Sequence, residues 1–262
     1  MIRTLLREGC ELHYRRENET AALTVVLLHG FGLDGSMWQP QIEPLLEAGY
    51  GMINVDIRAH GDSRPAQGFT VAQAAADVDA ILRAEGVRRP LLAGLSLGGY
   101  VVQQYAADFG GAAGYFTIGA GPIFTPYPRW ERAALRHSAA MFRPFGWKLL
   151  VNWMISASAL DKSWHDELRR MFNRYTRDEF INNWDAGVAR CLTERQMRFD
   201  APLFACCGDR DGVGTVKKHL PDYLRYYDNA RIGYIEGASH MANLDNPRQI
   251  NQLLLDFCAA NA

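Results

Sequence analysis

Gly94-Leu95-Ser96-Leu97-Gly98 has the pattern G-x-S-x-G and lies between an apolar run and a stretch with helical spacing. A sharp strand-to-helix turn there lifts a serine hydroxyl clear of a sheet edge. Glycines two positions before and after it relieve the crowding, because they lack a Cβ. The motif alone is common; its setting between strand and helix is what points to a nucleophile. At the helix start, the Leu97 N–H is placed to stabilise a negative oxygen. His29-Gly30-Phe31-Gly32 ends an earlier buried run. Its glycines let the backbone approach a ligand, which makes the Phe31 N–H the candidate second donor of an oxyanion hole.

A hydroxyl nucleophile needs a base, and the base needs an orienting carboxylate. Seven histidines compete: His13, His29, His60, His137, His165, His219 and His240. His240, in Gly237-Ala238-Ser239-His240, follows the last predicted strand, at the same sheet edge as Ser96. His29 is expected beneath the oxyanion loop. His137 and His165 fall in a helical insertion, and His13, His60 and His219 are expected to be solvated or locally hydrogen-bonded. For the carboxylate, Gly208-Asp209-Arg210-Asp211 follows another strand at that edge. Asp211 is preferred; Asp209 is the alternative, better suited to binding loop amides. Gly119-Ala120-Gly121, after the strand ending at Ile118, holds no acid.

These residues need a scaffold of alternating strands and helices. Residues 2–7 and 10–16 suit a hairpin turning at Glu8-Gly9. Thr24–Leu28, Met52–Val55, Leu91–Leu95, Tyr115–Ile118, Leu203–Cys207 and Ile232–Ile235 read as strands; the first of these is apolar enough to be covered on both faces. Helices are expected over 37–47, from a Thr70 cap to about 85, from Leu97, around 214–228 and over Pro247–Cys258. The alternation argues for a parallel sheet covered on both faces. Between about Pro122 and Arg195 no strand is expected. That stretch holds five of the six tryptophans, Trp130, Trp147, Trp153, Trp164 and Trp184. It reads as a helical insertion, with Trp130, Trp147, Trp153 and Trp184 the candidates to line an apolar cleft shared with the main domain.

Composition removes several classes. In 262 residues, 28 Lys+Arg stand against 29 Asp+Glu, a formal charge of −1. No basic cluster marks a nucleic-acid surface. Apolar runs are short and interrupted, so no membrane span or membrane partner is expected. The first twenty residues carry charges throughout and lack a secretory core, which makes the cytoplasm the expected location. Five scattered cysteines form no C-x-x-C pair, so neither zinc nor a redox motif is expected. Cys206 and Cys207 read as small hydrophobes within a strand.

The chain order Ser96, Asp211, His240 resembles that of the α/β-hydrolase family, in particular its small capped serine hydrolases of esterase, haloperoxidase-like and carbon–carbon hydrolase type. Asp56-Ile57-Arg58-Ala59-His60-Gly61-Asp62-Ser63 is similar to the family's loop after its fourth strand, D-x-R-G-x-G-x-S, with Ala59 in place of the commoner glycine and Arg58 read as structural. The resemblance covers 23–121 and 200–262. It implies an α/β fold with a mostly parallel eight-stranded sheet flanked by helices and a helical cap after the sixth strand. The core would comprise 1–121 and 196–262, and the cap 122–195. It also implies no metal and no organic cofactor. Haloalkane dehalogenases and epoxide hydrolases of this fold use an aspartate nucleophile, which position 96 does not supply.

The expected function is hydrolysis of carboxylic esters of small to medium apolar or aromatic compounds, through an acyl-enzyme. Alternatives using the same triad are a lactonase or a carbon–carbon bond hydrolase of meta-cleavage-type diketone acids. The latter needs a cap arginine (Arg129, Arg132, Arg136 or Arg190) facing Ser96. A ligand-binding, receptor-like member is the alternative of another class. The partner expected is a small-molecule substrate; the sequence leaves monomer or homodimer open.

Overall fold

The computed structural model describes residues 1–66, 68–193 and 195–262. Strands β1 (Ile2–Arg7) and β2 (Cys10–Glu17) form the opening hairpin, and β3 (Thr24–Leu28) leads into a 3-10 turn and helix α1 (Gln39–Glu47). Then come β4 (Gly51–Val55), α2 (Val71–Ala84), β5 (Leu91–Leu95), α3 (Leu97–Asp108) and β6 (Gly114–Ile118). The eight-stranded sheet has the order β1-β2-β4-β3-β5-β6-β7-β8, completed by β7 (Leu203–Gly208) and β8 (Ala230–Ile235). Only β1 with β2 and β2 with β4 pair antiparallel; the other pairs are parallel.

Every residue of β3, β4, β5 and β6 is buried, the signature of strands covered on both faces. Strand alternation places the two layers. Thr117 of β6 faces α3, where it meets the backbone at Gly99. Its neighbours Gly114 and Phe116 point the other way, onto Phe257 of the last helix. Chain order reverses at β3, with β4 on one side and β5 on the other. That is the place in an open α/β sheet where a crevice forms beyond the strand ends.

Between β6 and β7 the described residues form helices and turns: α4 (Arg129–Arg136), α5 (Ser138–Phe142), α6 (Trp147–Ser158), α7 (His165–Phe172) and α8 (Arg177–Ala186). This is the helical cap after the sixth strand. The 214–228 segment departs from the expected single helix. It splits into α9 (Val216–His219) and α10 (Asp222–Tyr226) around Pro221, which has no N–H to continue a helical ladder. After α11 (Ala242–Asp245), α12 runs over Pro247–Asn261, past the expected end at 258 because nothing in Ala259-Ala260-Asn261 breaks it.

Candidate active site

Ser96 adopts φ 52° and ψ −112°, a left-handed conformation costly to a residue with a Cβ, at the junction of β5 and α3. The turn is tight enough that a Cβ on Gly98 would sit 2.0 Å from the Leu28 carbonyl oxygen, so α3 crosses β3 at a distance only glycine permits. The Ser96 N–H donates to the Ile118 carbonyl at 2.8 Å, which ties the turn to the end of β6.

The loops after β6, β7 and β8 meet at the same edge. His240 and Asp211 are both 6 % exposed, and His240 Nδ1 lies 2.9 Å from Asp211 Oδ2. The other Asp211 oxygen accepts the Val213 N–H at 2.9 Å, which fixes the carboxylate's orientation. Against an ionised carboxylate, Nδ1 carries the proton and Nε2 is left with a free lone pair. Gly119 has φ 60°, and a Cβ there would lie 3.1 Å from the His240 ring atoms Cε1 and Nδ1. The imidazole therefore rests on the residue next to Ile118, which holds the Ser96 backbone. Among the described residues, the Ser96 hydroxyl makes no hydrogen bond of its own. Asp209 does not reach the imidazole: its Oδ1 is buried without a partner.

Beside the Ser96 turn is the loop that follows β3, where a Cβ on Gly30 would lie 3.0 Å from the Leu95 side chain. His29 is fully buried beneath this loop; its Nε2 accepts the Ile57 N–H at 2.9 Å and its Nδ1–H donates to the Gly30 carbonyl at 2.8 Å. Burial lowers the pKa of His29 and keeps the ring neutral, which suits this one-acceptor, one-donor role. Among the described residues, neither the Phe31 nor the Leu97 backbone N–H donates within the protein. The cysteines offer no competing nucleophile: all five are free and buried, and burial, then the charge of Asp211, pushes Cys207 up to about 12.

A model of the Alpha/beta hydrolase family matches residues 25–253. The chain belongs to that family. Within it, the chain is 31 % identical to a 3-oxoadipate enol-lactonase of Acinetobacter baylyi, with 96 % of this chain and 94 % of that protein covered. It is 25 % identical to a non-heme chloroperoxidase of Kitasatospora aureofaciens, covering 96 % and 97 %. A thermophilic esterase from Thermogutta terrifontis shares the fold with a TM-score of 0.80, at 21 % identity, covering 99 % and 97 %.

Two of the four expected tryptophans pack into an aromatic cluster around Phe31. Trp184 meets the Phe31 ring edge-on, with centroids 5.2 Å apart, and its Nε1–H donates to Ser138 Oγ at 2.8 Å. Trp147 packs on Phe180, whose ring is 4.9 Å from Phe31. Trp130 and Trp153 must be corrected as lining residues. They are 66 % and 60 % exposed, and Trp130 lies beneath the Lys218 ammonium. Both occupy outward faces of cap helices, and tryptophan content alone carries no sign of which face a ring takes. Phe142 and Phe180 complete the packed cluster, and the tryptophan pattern missed them. Helical spacing of Phe180 and Trp184, four apart on α8, was the available signal.

His60 is also fully buried, pushed down to about 3 by burial and by the neighbouring His29. Its Nδ1–H donates to the Arg58 carbonyl, the local hydrogen bond that is one of the two expectations for it, and its ring backs onto Phe31 at 5.1 Å, so it supports the loop from behind. Arg58 holds Asp77 through two hydrogen bonds of 2.5 and 2.7 Å, both side chains buried. Ala59 keeps the left-handed φ of 64° that glycine would take without strain. Among the described residues no helix is long and apolar enough to cross a membrane.

Proposed function

We propose that the protein is a serine hydrolase that cleaves carboxylic esters of apolar or aromatic compounds through a Ser96–His240–Asp211 triad. The observation that carries this reading is the buried 2.9 Å Asp211–His240 pair, resting on Gly119 beside the strained Ser96 turn. His240 Nε2 takes the Ser96 proton as Oγ attacks the carbonyl carbon, and Asp211 stabilises the imidazolium. The Phe31 and Leu97 amides receive the oxyanion; one such donor is worth on the order of a hundredfold in turnover. His240 then protonates the departing alcohol. Water, deprotonated by the same imidazole, releases the acid and restores Ser96.

The packed aromatic cluster of Phe31, Phe142, Phe180 and Trp184, built on the candidate oxyanion loop, supports an apolar acyl or aryl group. A lactone is a cyclic ester open to the same chemistry, and the full-length likeness to an enol-lactonase favours it as the second reading. The carbon–carbon reading has less support. Arg129 and Arg136 are exposed on α4, and Arg190 is ion-paired with Asp185 at 2.9 Å.

Ser96→Ala is expected to lower hydrolysis of a p-nitrophenyl ester by on the order of 10⁴-fold or more and to abolish labelling by a fluorophosphonate probe. Wild-type rates in that variant would end the assignment. A folded wild-type protein that takes no probe at Ser96 would move it to the ligand-binding class.

A further inference from the structure

The loop that carries His240 is held from outside the core. Helix α6 of the cap ends with carbonyl groups that have no partner within the helix, as every helix does. Two of them are taken up on either side of His240: Ser239 Oγ donates to the Ala157 carbonyl at 3.1 Å, and the Met241 N–H donates to the Ser158 carbonyl at 2.8 Å. A third connection runs through Asp245. Its Oδ2 accepts the Ser239 N–H at 2.8 Å, while its Oδ1 accepts the Leu160 and Asp161 N–H groups at 2.7 and 2.9 Å. One carboxylate thus joins the segment just past α6 to the residue just before the imidazole.

We infer that Asp245 and the C-terminal turn of α6 form a clamp that sets the position of His240 from the cap, with Asp245 the positioning residue. The inference rests on the proposed role of His240 as the base. Three N–H donors converge on Asp245, so the side chain must accept with both oxygens. Asparagine offers one acceptor oxygen and would turn an N–H toward another N–H on the other side. The backbone on both flanks of His240 follows α6, so a shift of that helix is transmitted to the imidazole within one residue. A misplacement of about 1 Å at a reacting group costs on the order of a hundredfold in rate. Cap seating and readiness of the base are then one event.

The test compares Asp245→Asn and the milder Ser239→Ala with wild type, at a temperature where circular dichroism shows all three folded. Two quantities are read: the second-order rate of fluorophosphonate labelling at Ser96, and the low-field Nδ1 proton of His240 in histidine-labelled protein. Asp245→Asn is expected to slow labelling at least tenfold and to broaden or shift the Nδ1 resonance; Ser239→Ala is expected to do both to a smaller extent. Labelling within twofold of wild type together with an unchanged Nδ1 resonance overturns the clamp, and Ser239→Ala decides the matter if Asp245→Asn does not fold. Wild type that resists the probe defeats the hydrolase reading instead, and the clamp is then judged on the resonance alone.

Discussion

Asp209 and Asp211 stand two residues apart in one loop, and only the backbone geometry separates their roles. The Asp211 N–H donates to the Gly208 carbonyl at 3.1 Å, which curls the chain and delivers the Asp211 carboxylate to His240. Asp211→Asn should leave a folded protein whose imidazole is held in the wrong tautomer, with kcat for an aryl ester lowered by on the order of 10⁴-fold. Asp209→Asn should retain kcat within a few-fold, since its Oδ1 is buried without a hydrogen-bond partner and the His240 Nδ1 is held by Asp211. Steady-state kinetics on the two purified variants checks both, and equal losses would remove the distinction. The placing of Ser96 and His240 in loops after strands was legible in the sequence because each sits in a short motif after an apolar run. Asp211 is preferred there with Asp209 left open, because the choice depends on a turn whose N–H groups are held by the carbonyls of Ile235, at the end of β8, and of Ala238 beyond it. Tryptophan content misled for a related reason: the chemistry of a ring does not say which way its helix face turns.

At the scale of elements, the most exacting junction is the one between β5 and α3. Gly98 packs against the Leu28 carbonyl of β3, a backbone atom that cannot swing aside. Gly98→Ala must therefore push α3 off the sheet and move the Leu97 N–H and Ser96 with it. The expected result is a loss of about 3 kcal/mol of stability, a Tm lower by roughly 5–10 °C, and a large drop in turnover. Gly146, at the start of α6, is the comparison: its φ is −64° and a Cβ there would meet nothing within 4 Å. Gly146→Ala should change stability by less than about 1 kcal/mol, because the gain from restricting the unfolded chain is offset by alanine being the poorer N-cap of α6. Thermal unfolding followed by circular dichroism separates the two, and a Gly98→Ala protein as stable as wild type would show that the elbow has slack. The strands were legible at this scale because runs such as Thr24–Leu28 are apolar on both faces. The single helix expected around 214–228 breaks at Pro221, where a local backbone rule decides between one helix and two.

On the scale of the whole molecule, the cap is seated on the core by two sets of ion pairs of very different burial. On one side Arg174 reaches Asp62 at 2.5 Å, and Arg170 and Arg174 reach the buried Asp34 at 3.2 and 3.7 Å, but the two arginine side chains are 47 % and 34 % exposed. Such pairs are screened by solvent and contribute little, typically under about 1 kcal/mol. On the other side Glu131 of α4, 4 % exposed, meets His219 Nε2 at 2.6 Å and the Lys218 ammonium, while His219 Nδ1 meets Asp222 at 2.7 Å. No sequence pattern joins Glu131 to residues 87 and 88 positions away. Such a contact exists only once the cap folds back over the loop after β7. The Glu131–His219 contact should dominate the anchoring of α4, since both side chains are buried and removing the carboxylate takes away the buried partner of His219 Nε2. Glu131→Gln is therefore expected to lower hydrogen-exchange protection factors in α4 at least tenfold without changing those of β5. Arg174→Gln should shift protection by less than threefold. Burial pushes the pKa of Glu131 up, but its bonds to Lys218 and His219 hold it below the usual 4.5. A carboxylate whose folded pKa is depressed adds stability that is present above about 4.5 and lost as pH falls through the folded value. Wild-type α4 should accordingly lose protection in that acid window, after correction for intrinsic exchange, while in Glu131→Gln the added acid sensitivity disappears. An α4 equally protected in both proteins at neutral pH would show that apolar packing alone holds the cap.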